Sequence, residues 1–213
     1  MVQTGAAVRG ETVEGFLRRL AERAPTPGGG AVAALGAAQA AALLAMAARF
    51  TTGPKYAESA RLADEVTAAA EDLKERALDL AVEDERAFSA VAAAYRLPRE
   101  DDADRSARSA AIRDAVADAA VPPAGLVAVA RELVGLAERL SPVANRSVAG
   151  EIAAAADATY AAASTARVNV EANLRGLPEG DARLALLHEV ADVDKLLDRA
   201  MHVRESVREE LRG

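Results

Sequence analysis

The sequence predicts an all-α protein, an up-and-down bundle of six or seven helices with two alanine-rich helices at its centre. Hydrophobic residues make up 51% of the 213 residues but aromatic residues only 3%, so Ala, Leu and Val must fill the core. Small side chains favour closely packed helices over a β-sandwich, which draws on β-branched and aromatic residues. No window alternates apolar and polar residues as a strand would. The length suits one domain, and we predict a single domain over residues 1–213.

Seven helical segments follow from the apolar periodicity and from the prolines and glycines between them. The first is a short amphipathic helix with Val13, Phe16, Leu17 and Leu20 on one face, and it ends before Pro25. Six further segments are predicted at about 30–52, 57–96, 104–120, 124–140, 150–174 and 180–211. The segments 30–52 and 150–174 are the alanine-rich helices.

The first alanine-rich segment also raises the question of a membrane span. Residues 31–48 carry no charge over 18 positions, which reaches the length that a spanning helix needs. Eleven of these residues are alanine, however, and triple glycine with proline stands at one end. We therefore expect a helix buried at the centre of a bundle and no membrane association. Two alanine-rich helices can approach closely, which also suits a homodimer interface.

Composition excludes several classes of site and partner. The formal net charge is −7 with acidic and basic residues interspersed, which argues against nucleic acid as a partner. The absence of cysteine excludes disulfides, thiolate nucleophiles and cysteine-based zinc sites. His188 and His202 have no second ligand at metal spacing, so no metal is predicted. The first residues lack the pattern of a secretory signal, and we expect a cytoplasmic protein.

Asp84 interrupts the apolar stripe of the long helix. The stripe runs through Leu80, then Asp84, then Phe88, so the carboxyl group occupies a core-facing position. Glu83 and Glu85 point elsewhere, as in a solvated helix. A carboxylate in an apolar seam must be paired or protonated, which makes Asp84 a candidate for a perturbed pKa and a functional role. The alternative is a boundary residue bonded to a neighbouring arginine.

A second group of polar residues surrounds the second alanine-rich helix. Glu151 is a candidate functional carboxylate there, although an acidic residue in a first turn also stabilises the helix dipole. Asn169 and Asn173 share a face at i, i+4 spacing, and buried amides need partners. Glu151 and Asn169 lie 18 residues apart, about 27 Å along one helix, so they cannot serve one small reacting centre in one subunit. Both residues could still be functional in three ways: the ligand is extended, the residues belong to two separate sites, or a dimer brings in a second copy.

The stretch "APTPGGGAVAAL", residues 24–35, joins two prolines and three glycines to the first alanine-rich helix. Its spacing does not match a dinucleotide-binding fingerprint, and no strand precedes it. Glycines at a helix amino end can let backbone N–H groups face an anion. Gly and Pro before a helix more often simply form a turn.

The quoted stretch and two others resemble the formiminotransferase-cyclodeaminase family, in particular its cyclodeaminase domain and the stand-alone methenyltetrahydrofolate cyclohydrolases. Residues 16–53 contain a match to the family kernel P-x-P-G-G-G-[SA]-V-A-A. "VEDERAFSAVAAAYRLPR", residues 82–99, is similar to a family segment with Asp before Ala-Phe, and "NVEANL", 169–174, to the family's N-V-x-x-N-L. The resemblance covers about residues 12–211, with the motifs in the family order.

The resemblance implies an all-helical homodimer that binds a reduced folate. Its reaction would be closure of 5-formiminotetrahydrofolate with loss of ammonia, or hydrolysis of 5,10-methenyltetrahydrofolate, by acid/base catalysis without metal or redox cofactor. Any formiminotransferase would be a separate chain. By the resemblance, Asp84 is the first candidate for the acid/base group and Glu151 the second. The implied substrate-binding residues are Pro27, Gly28, Gly29, Gly30, Lys55, Tyr56, Asn145, Asn169 and Asn173, with Arg49 and Arg146 as further cations for the folate carboxylates.

One segment departs from the family pattern. Family members commonly show Asn, a few residues and then Ser-Asp before the last alanine-rich helix. Counting back without gaps from Asn169 places Gly150 and Glu151 on the Ser-Asp pair and Asn145 on the family Asn. A competing register places Ser147 and Val148 there and has no carboxylate. A folate-binding relative without catalysis, or a helical scaffold, therefore remains an alternative to an enzyme.

Overall fold

The computed structural model describes residues 8–212. Residues 1–7 and 213, which the predicted domain 1–213 includes, lie outside the described part. Within residues 8–212 the chain forms eight α-helices and no strand. They are α1 (Val13–Leu20), α2 (Gly29–Phe50), α3 (Ala60–Ala94), α4 (Asp102–Ala119), α5 (Val121–Leu140), α6 (Ala149–Leu174), α7 (Asp181–Val190) and α8 (Val193–Arg212). Short 3-10 helices lie at Val8–Gly10, Pro54–Ser59, Ser141–Val143 and Arg146–Val148.

The all-α prediction is confirmed, with one difference at the carboxyl end. The predicted helix 180–211 is two helices, because the chain turns at Ala191 and Asp192 between α7 and α8. Leu184 and Leu187 of α7 are exposed, whereas α8 buries a stripe of apolar residues, namely Val193, Leu196, Leu197, Ala200, Val203 and Val207. The two halves thus lack the common buried face that would hold one continuous helix.

The alanine-rich helices α2 and α6 form the centre of the bundle. Helix α2 packs most extensively against α3 and α6, and α6 also contacts α5 and α8. The α2–α6 contact is close, since a Cβ on Gly36 would lie 3.8 Å from the carbonyl oxygen of Ala158. Such an approach requires the small side chains that dominate both helices.

Two stretches, Gly29–Phe50 and Asp102–Val143, are long and apolar enough to cross a membrane by length and composition. Within the two stretches, respectively, 61% and 67% of an 18-residue apolar segment is buried inside the protein. Core helices of water-soluble bundles meet the same criterion, so this feature is weak support for a membrane span.

Helices α3 and α6 both run antiparallel to α2. Gly30 at the start of α2 contacts Asp84 late in α3, and a Cβ on Gly29 would lie 3.8 Å from Thr165, late in α6. At the other end of α2, the main chain and side chain of Asn145, just before α6, bond to Thr51 and Phe50. We call these two ends of the bundle the glycine end and the Phe50 end.

Candidate active site

The glycine end begins with the loop from α1 into α2. Pro27 is buried and follows a cis Thr26–Pro27 peptide bond, and Gly28 is the N-cap residue of α2. Gly30 is buried directly under the Asp84 carboxyl group, so that a Cβ at position 30 would overlap the Asp84 side chain. A side chain at position 30 would therefore have to displace the Asp84 carboxyl group. This contact joins two motifs that are 54 positions apart in the sequence (84 − 30 = 54).

Asp84 is a partly buried carboxyl group with a raised pKa. Burial raises its pKa from the ordinary 3.8 to about 6. The backbone N–H of Ala31 opposes this shift, because it faces the carboxyl group and favours the charged form, while the neighbouring charge of Glu85 adds to it. A carboxyl group poised near neutrality can both accept and donate a proton, as an acid/base catalyst must.

A cavity of about 160 Å³ opens beside Asp84. It brings together six of the residues predicted from the sequence as site residues: Gly28, Gly29, Gly30, Asp84, Asn169 and Asn173. The remaining lining residues are Pro25, Thr26, Phe88, Ala119 and Ala172. The cavity therefore lies between α2, α3, the end of α4 and the last turns of α6.

The two asparagines of α6 are held differently. Asn173 Nδ2 donates a hydrogen bond to the Ala119 carbonyl oxygen at 3.0 Å, which fixes its amide against the end of α4. The Asn169 side chain has no hydrogen-bond partner among residues 8–212. Asn169 thus offers a free amide donor and acceptor to a ligand, whereas Asn173 offers its amide oxygen.

Arg19 of α1 holds the loop side of the cavity against α3. Its guanidinium group bonds Glu11 at 2.8 Å and Glu85 at 3.2 Å, and all three side chains are largely buried. The hydrogen bonds to these carboxylates raise the pKa of Arg19. Since Glu85 directly follows Asp84, this pair fixes α1 beside the turn of α3 that carries Asp84 and partly neutralises its acidic neighbour.

Four predicted site residues lie at the Phe50 end instead. Lys55 and Tyr56 follow α2 in a 3-10 helix, where Lys55 Nζ lies 5.2 Å from the Tyr56 ring centroid. Asn145 Nδ2 donates to the Phe50 carbonyl oxygen at 3.0 Å, and Glu151 is in the first turn of α6. The 21 steps from Gly29 to Phe50 separate this end from Asp84 by about 30 Å. Within one copy of the chain, these four residues therefore do not reach the Asp84 cavity.

Phe88 and the small residues of the cavity wall were missed as site residues by sequence reasoning. The prediction assigned Phe88 to the buried stripe of α3, but its side chain is 46% exposed and lines the cavity. Its spacing of one turn from Asp84 was the available signal, because residues at i and i+4 share a helix face. Ala119 and Ala172 carried no such signal, since alanine occurs throughout the chain.

Residues 8–212 contain no group of three or more His, Cys, Asp or Glu side chains placed to hold a metal ion. The ionisable group that lines the Asp84 cavity is the carboxyl group of Asp84 itself. The chemistry that this cavity offers is proton transfer by one carboxyl group, with amide and backbone groups around it.

Comparison with known proteins gives concordant matches. The sequence model described as "Formiminotransferase-cyclodeaminase" matches residues 12–192. A methenyltetrahydrofolate cyclohydrolase from Methylorubrum extorquens is 34% identical over 204 residues, covering 95% of this chain and 97% of the relative. The formimidoyltransferase-cyclodeaminase of Mus musculus is 28% identical over 187 residues, and this chain spans 34% of that longer protein.

The same fold occurs in a solved structure. The crystal structure of formiminotetrahydrofolate cyclodeaminase from Thermotoga maritima superposes with a TM-score of 0.84 and 27% sequence identity. The superposition covers 97% of this chain and 100% of that chain. The similarity thus extends over the whole bundle, including both the glycine end and the Phe50 end.

Proposed function

This chain belongs to the formiminotransferase-cyclodeaminase family, and we propose that it is a folate one-carbon enzyme that hydrolyses 5,10-methenyltetrahydrofolate to 10-formyltetrahydrofolate. The Asp84 carboxyl group is the single observation in the structure that supports this proposal most strongly. It combines a pKa raised to about 6 with a position on the wall of the cavity, beside the glycine loop and the two asparagines.

Hydrolysis requires the removal of one proton. The oxygen of water bonds to the one-carbon unit and loses both of its protons as it becomes the formyl oxygen. The bond from that carbon to N5 breaks, N5 takes up one of these protons, and the formyl group stays on N10. The other proton is released, and we assign ionised Asp84, which lines the cavity, as the group that would accept a proton from the attacking water. Only protons and water are exchanged, so the reaction needs no redox cofactor.

The remaining groups of the cavity would bind and orient the substrate. The Asn169 amide and the Asn173 amide oxygen match the ring nitrogens and carbonyl group of a pterin. Phe88 offers an exposed aromatic face for a flat ring. Gly28, Gly29 and Gly30 would shape the wall and leave the proton transfer to the carboxyl group.

Ammonia elimination from 5-formiminotetrahydrofolate is the second candidate, favoured by the likeness to the Thermotoga maritima cyclodeaminase. In that reaction N10 bonds to the formimino carbon and gives up its hydrogen, which the formimino nitrogen takes up. The bond from the carbon to this nitrogen then breaks, and the nitrogen takes up one further proton to leave as ammonia. The neutral form of Asp84 would donate this proton, so the same carboxyl group serves either reaction. An enzyme of the second kind would receive its substrate from a formiminotransferase on another chain.

Both reactions should be assayed side by side on the purified protein. The near-ultraviolet absorbance of methenyltetrahydrofolate falls during hydrolysis and rises during ammonia elimination. We expect Asp84→Asn to abolish the catalysed rate and Glu83→Gln, a change at the exposed neighbouring carboxylate, to preserve it. Equal rates for wild type and Asp84→Asn would contradict the role of Asp84.

A folate-binding protein without catalysis, or a helical scaffold, is the alternative to an enzyme. Neither would accelerate either reaction. A reduced folate that binds only the folded state must raise the melting temperature. A thermal shift without turnover would therefore identify a folate-binding protein. An unchanged melting temperature at saturating folate would identify a helical scaffold.

A further inference from the structure

We propose that Arg19 is a positioning residue for the candidate acid/base group: by binding Glu85, it limits the negative charge beside Asp84 and sets the pH range in which Asp84 exchanges its proton. The catalytic meaning of this role rests on the proposed function, in which Asp84 transfers the proton. The ion pairs themselves are features of the structure and do not depend on that function.

Glu85 is a largely buried carboxylate directly next to Asp84 in α3. Its side chain is 15% exposed, so water and salt screen its charge only in part. Because like charges repel, the charge of Glu85 favours the neutral form of Asp84. Without a cation beside it, Glu85 would therefore keep Asp84 protonated up to a higher pH.

Arg19 is the cation that opposes this charge. Its guanidinium group spans both carboxylate oxygens of Glu85, with Nη1 at 3.3 Å from Oε2 and Nη2 at 3.2 Å from Oε1. Asp84 has no ion pair of its own among residues 8–212. A direct arginine pair would lower the pKa of Asp84 far below neutrality, whereas a pair on the next residue moderates the local charge and leaves the Asp84 carboxyl group available to a ligand.

Glu11 fixes the guanidinium group in this position. Both of its oxygens accept hydrogen bonds from Arg19 Nε at 3.0 Å, and one also accepts from Nη2 at 2.8 Å. The side chains of Glu11 and Arg19 are 11% and 25% exposed. An arginine bonded on two sides by partly buried carboxylates cannot swing out to solvent without breaking charge-assisted hydrogen bonds. Arg19 therefore stays beside Glu85.

The other elements around Asp84 bring no competing charge to it. The described linings of the two cavities that Asp84 borders contain no other ionisable side chain. Helix α2 has no charged residue before Arg49, and α5 has none before Arg131. The nearest charged residues along the α1–α2 loop, α3, α4 and α6 are exposed and lie outside both linings, namely Glu22, Arg23, Glu83, Arg86, Asp118, Glu171 and Arg175.

Arg9 offers a matched control within the same part of the chain. Like Arg19, it ties the segment before α2 to α3, by bonds to Glu75 at 2.7 Å and to Asp79 at 2.8 Å. These carboxylates are exposed by 54% and 65%, and both precede Asp84 by more than one helical turn. Loss of Arg9 would release a similar contact without uncovering a buried charge beside Asp84.

The pKa of Asp84 can be measured without substrate by NMR titration of the aspartate side-chain carboxyl carbons, with Asp84→Asn identifying the signal. We expect Arg19→Gln to raise this pKa and Glu85→Gln to lower it, each by about half a pH unit, because neither residue bonds Asp84 directly. Both variants break the same ion pair. A purely structural role would therefore shift the pKa in the same direction in both, or not at all.

Three further variants serve as controls for this titration. Arg19→Lys keeps the positive charge and should retain a pKa close to that of wild type. Arg9→Gln releases the exposed contact to α3 and should leave the pKa of Asp84 unchanged. Glu83→Gln removes the exposed carboxylate on the other side of Asp84 and should also leave it unchanged, since water screens that charge.

The pH profile of kcat/KM gives the catalytic readout. For whichever folate reaction is catalysed, the midpoint should move to higher pH in Arg19→Gln and to lower pH in Glu85→Gln. In hydrolysis, a rise of half a unit would lower kcat/KM of Arg19→Gln about threefold on the acidic side of the midpoint, relative to the plateau of the same variant. Comparison with that plateau separates this effect from a general loss of folded protein.

An unchanged pKa of Asp84 in either Arg19→Gln or Glu85→Gln would overturn the role of Arg19, and so would shifts of the same sign or an equal shift in Arg9→Gln. If Arg19→Gln does not fold, Glu85→Gln and Arg19→Lys still decide the question. If the wild type catalyses neither folate reaction, the proposed function fails, but the NMR titration still shows whether Arg19 and Glu85 control the Asp84 carboxyl group.

Discussion

The carboxyl group of Asp84 lies directly over the α-carbon of Gly30, in the space where any other residue at position 30 would place its Cβ. This contact joins the glycine loop before α2 to the turn of α3 that carries the candidate acid/base group. It contributes to the burial of Asp84, and this burial raises the pKa of the carboxyl group. The glycine thus helps to set the chemistry of the carboxyl group without taking part in it.

Replacing Gly30 with alanine should displace the Asp84 side chain. We expect Gly30→Ala to lose at least tenfold in activity and about 1 kcal/mol in the free energy of unfolding, because the added methyl group overlaps the Asp84 carboxyl group and must push it from its partly buried position. Gly135→Ala in α5 is the control, since its Cβ would lie 4.0 Å from the Arg199 side chain and meets no obstruction. Urea unfolding and the folate assay measure the two effects, and equal behaviour of both variants would contradict the proposed contact.

The pH dependence of kcat/KM should distinguish the two candidate reactions. For hydrolysis Asp84 must be ionised, so kcat/KM should rise with pH through about 6, the pKa of this group. For ammonia elimination the neutral form donates a proton, so kcat/KM should fall through the same pH. A profile that is flat between pH 5 and pH 7 for whichever reaction is catalysed would argue against Asp84 as the titrating group.

Asp84 should also reduce stability at neutral pH. Its pKa is higher in the folded protein, about 6, than the ordinary 3.8, so the folded state binds the proton more tightly and its stability falls as pH rises from about 4 to about 6. Asp84→Asn removes this penalty. We expect the variant to be more stable than wild type by about 1–2 kcal/mol at pH 8, a figure lowered for partial exposure, and equally stable near pH 4.

Thermal unfolding across this pH range measures the difference between Asp84→Asn and wild type. A difference that stays constant from pH 4 to pH 8 would show that the amide acts through packing and that the ionisation of Asp84 carries no stability penalty. The expected result is a gain that is absent near pH 4, grows between about pH 4 and pH 6, and stays constant at higher pH.

The Arg19 ion pairs should matter far more than the neighbouring pair of Arg18. Arg19→Met leaves the largely buried Glu11 and Glu85 without their partner, and we expect a loss of about 2–3 kcal/mol in the free energy of unfolding. Arg18→Met breaks only an exposed pair with Glu14 and should cost less than about 0.5 kcal/mol. Guanidinium unfolding of both variants provides the comparison, and similar losses would contradict a buried clamp.

The two asparagines of α6 should separate binding from stability. Asn169 has no partner within the described chain, so Asn169→Ala should weaken folate binding about tenfold without changing the melting temperature. Asn173→Ala also removes the hydrogen bond to Ala119 and should lower both quantities. Isothermal titration and thermal unfolding measure them. A drop in the melting temperature of Asn169→Ala would show that this amide is structural.

Part of the site was predictable because helix geometry is regular. Asp84 stood out at a core position of a periodic stripe, and Asn169 and Asn173 stood out as amides sharing a face of an alanine-rich helix. Phe88 shares the same spacing but was assigned to the buried stripe, because its exposure depends on how far neighbouring helices extend, which periodicity does not report. The break between α7 and α8 was missed for the same reason.

By itself, the sequence determined the all-α fold and nearly all of its helix boundaries, because periodicity, proline and glycine act locally along the chain. It also determined that Glu151 and Asn169 lie too far apart for one small site, since both belong to one straight helix. Only the tertiary structure decided which motifs meet. Gly30, Asp84 and Asn169 come together because α3 and α6 both pack antiparallel to α2, and that arrangement depends on contacts between residues distant in sequence.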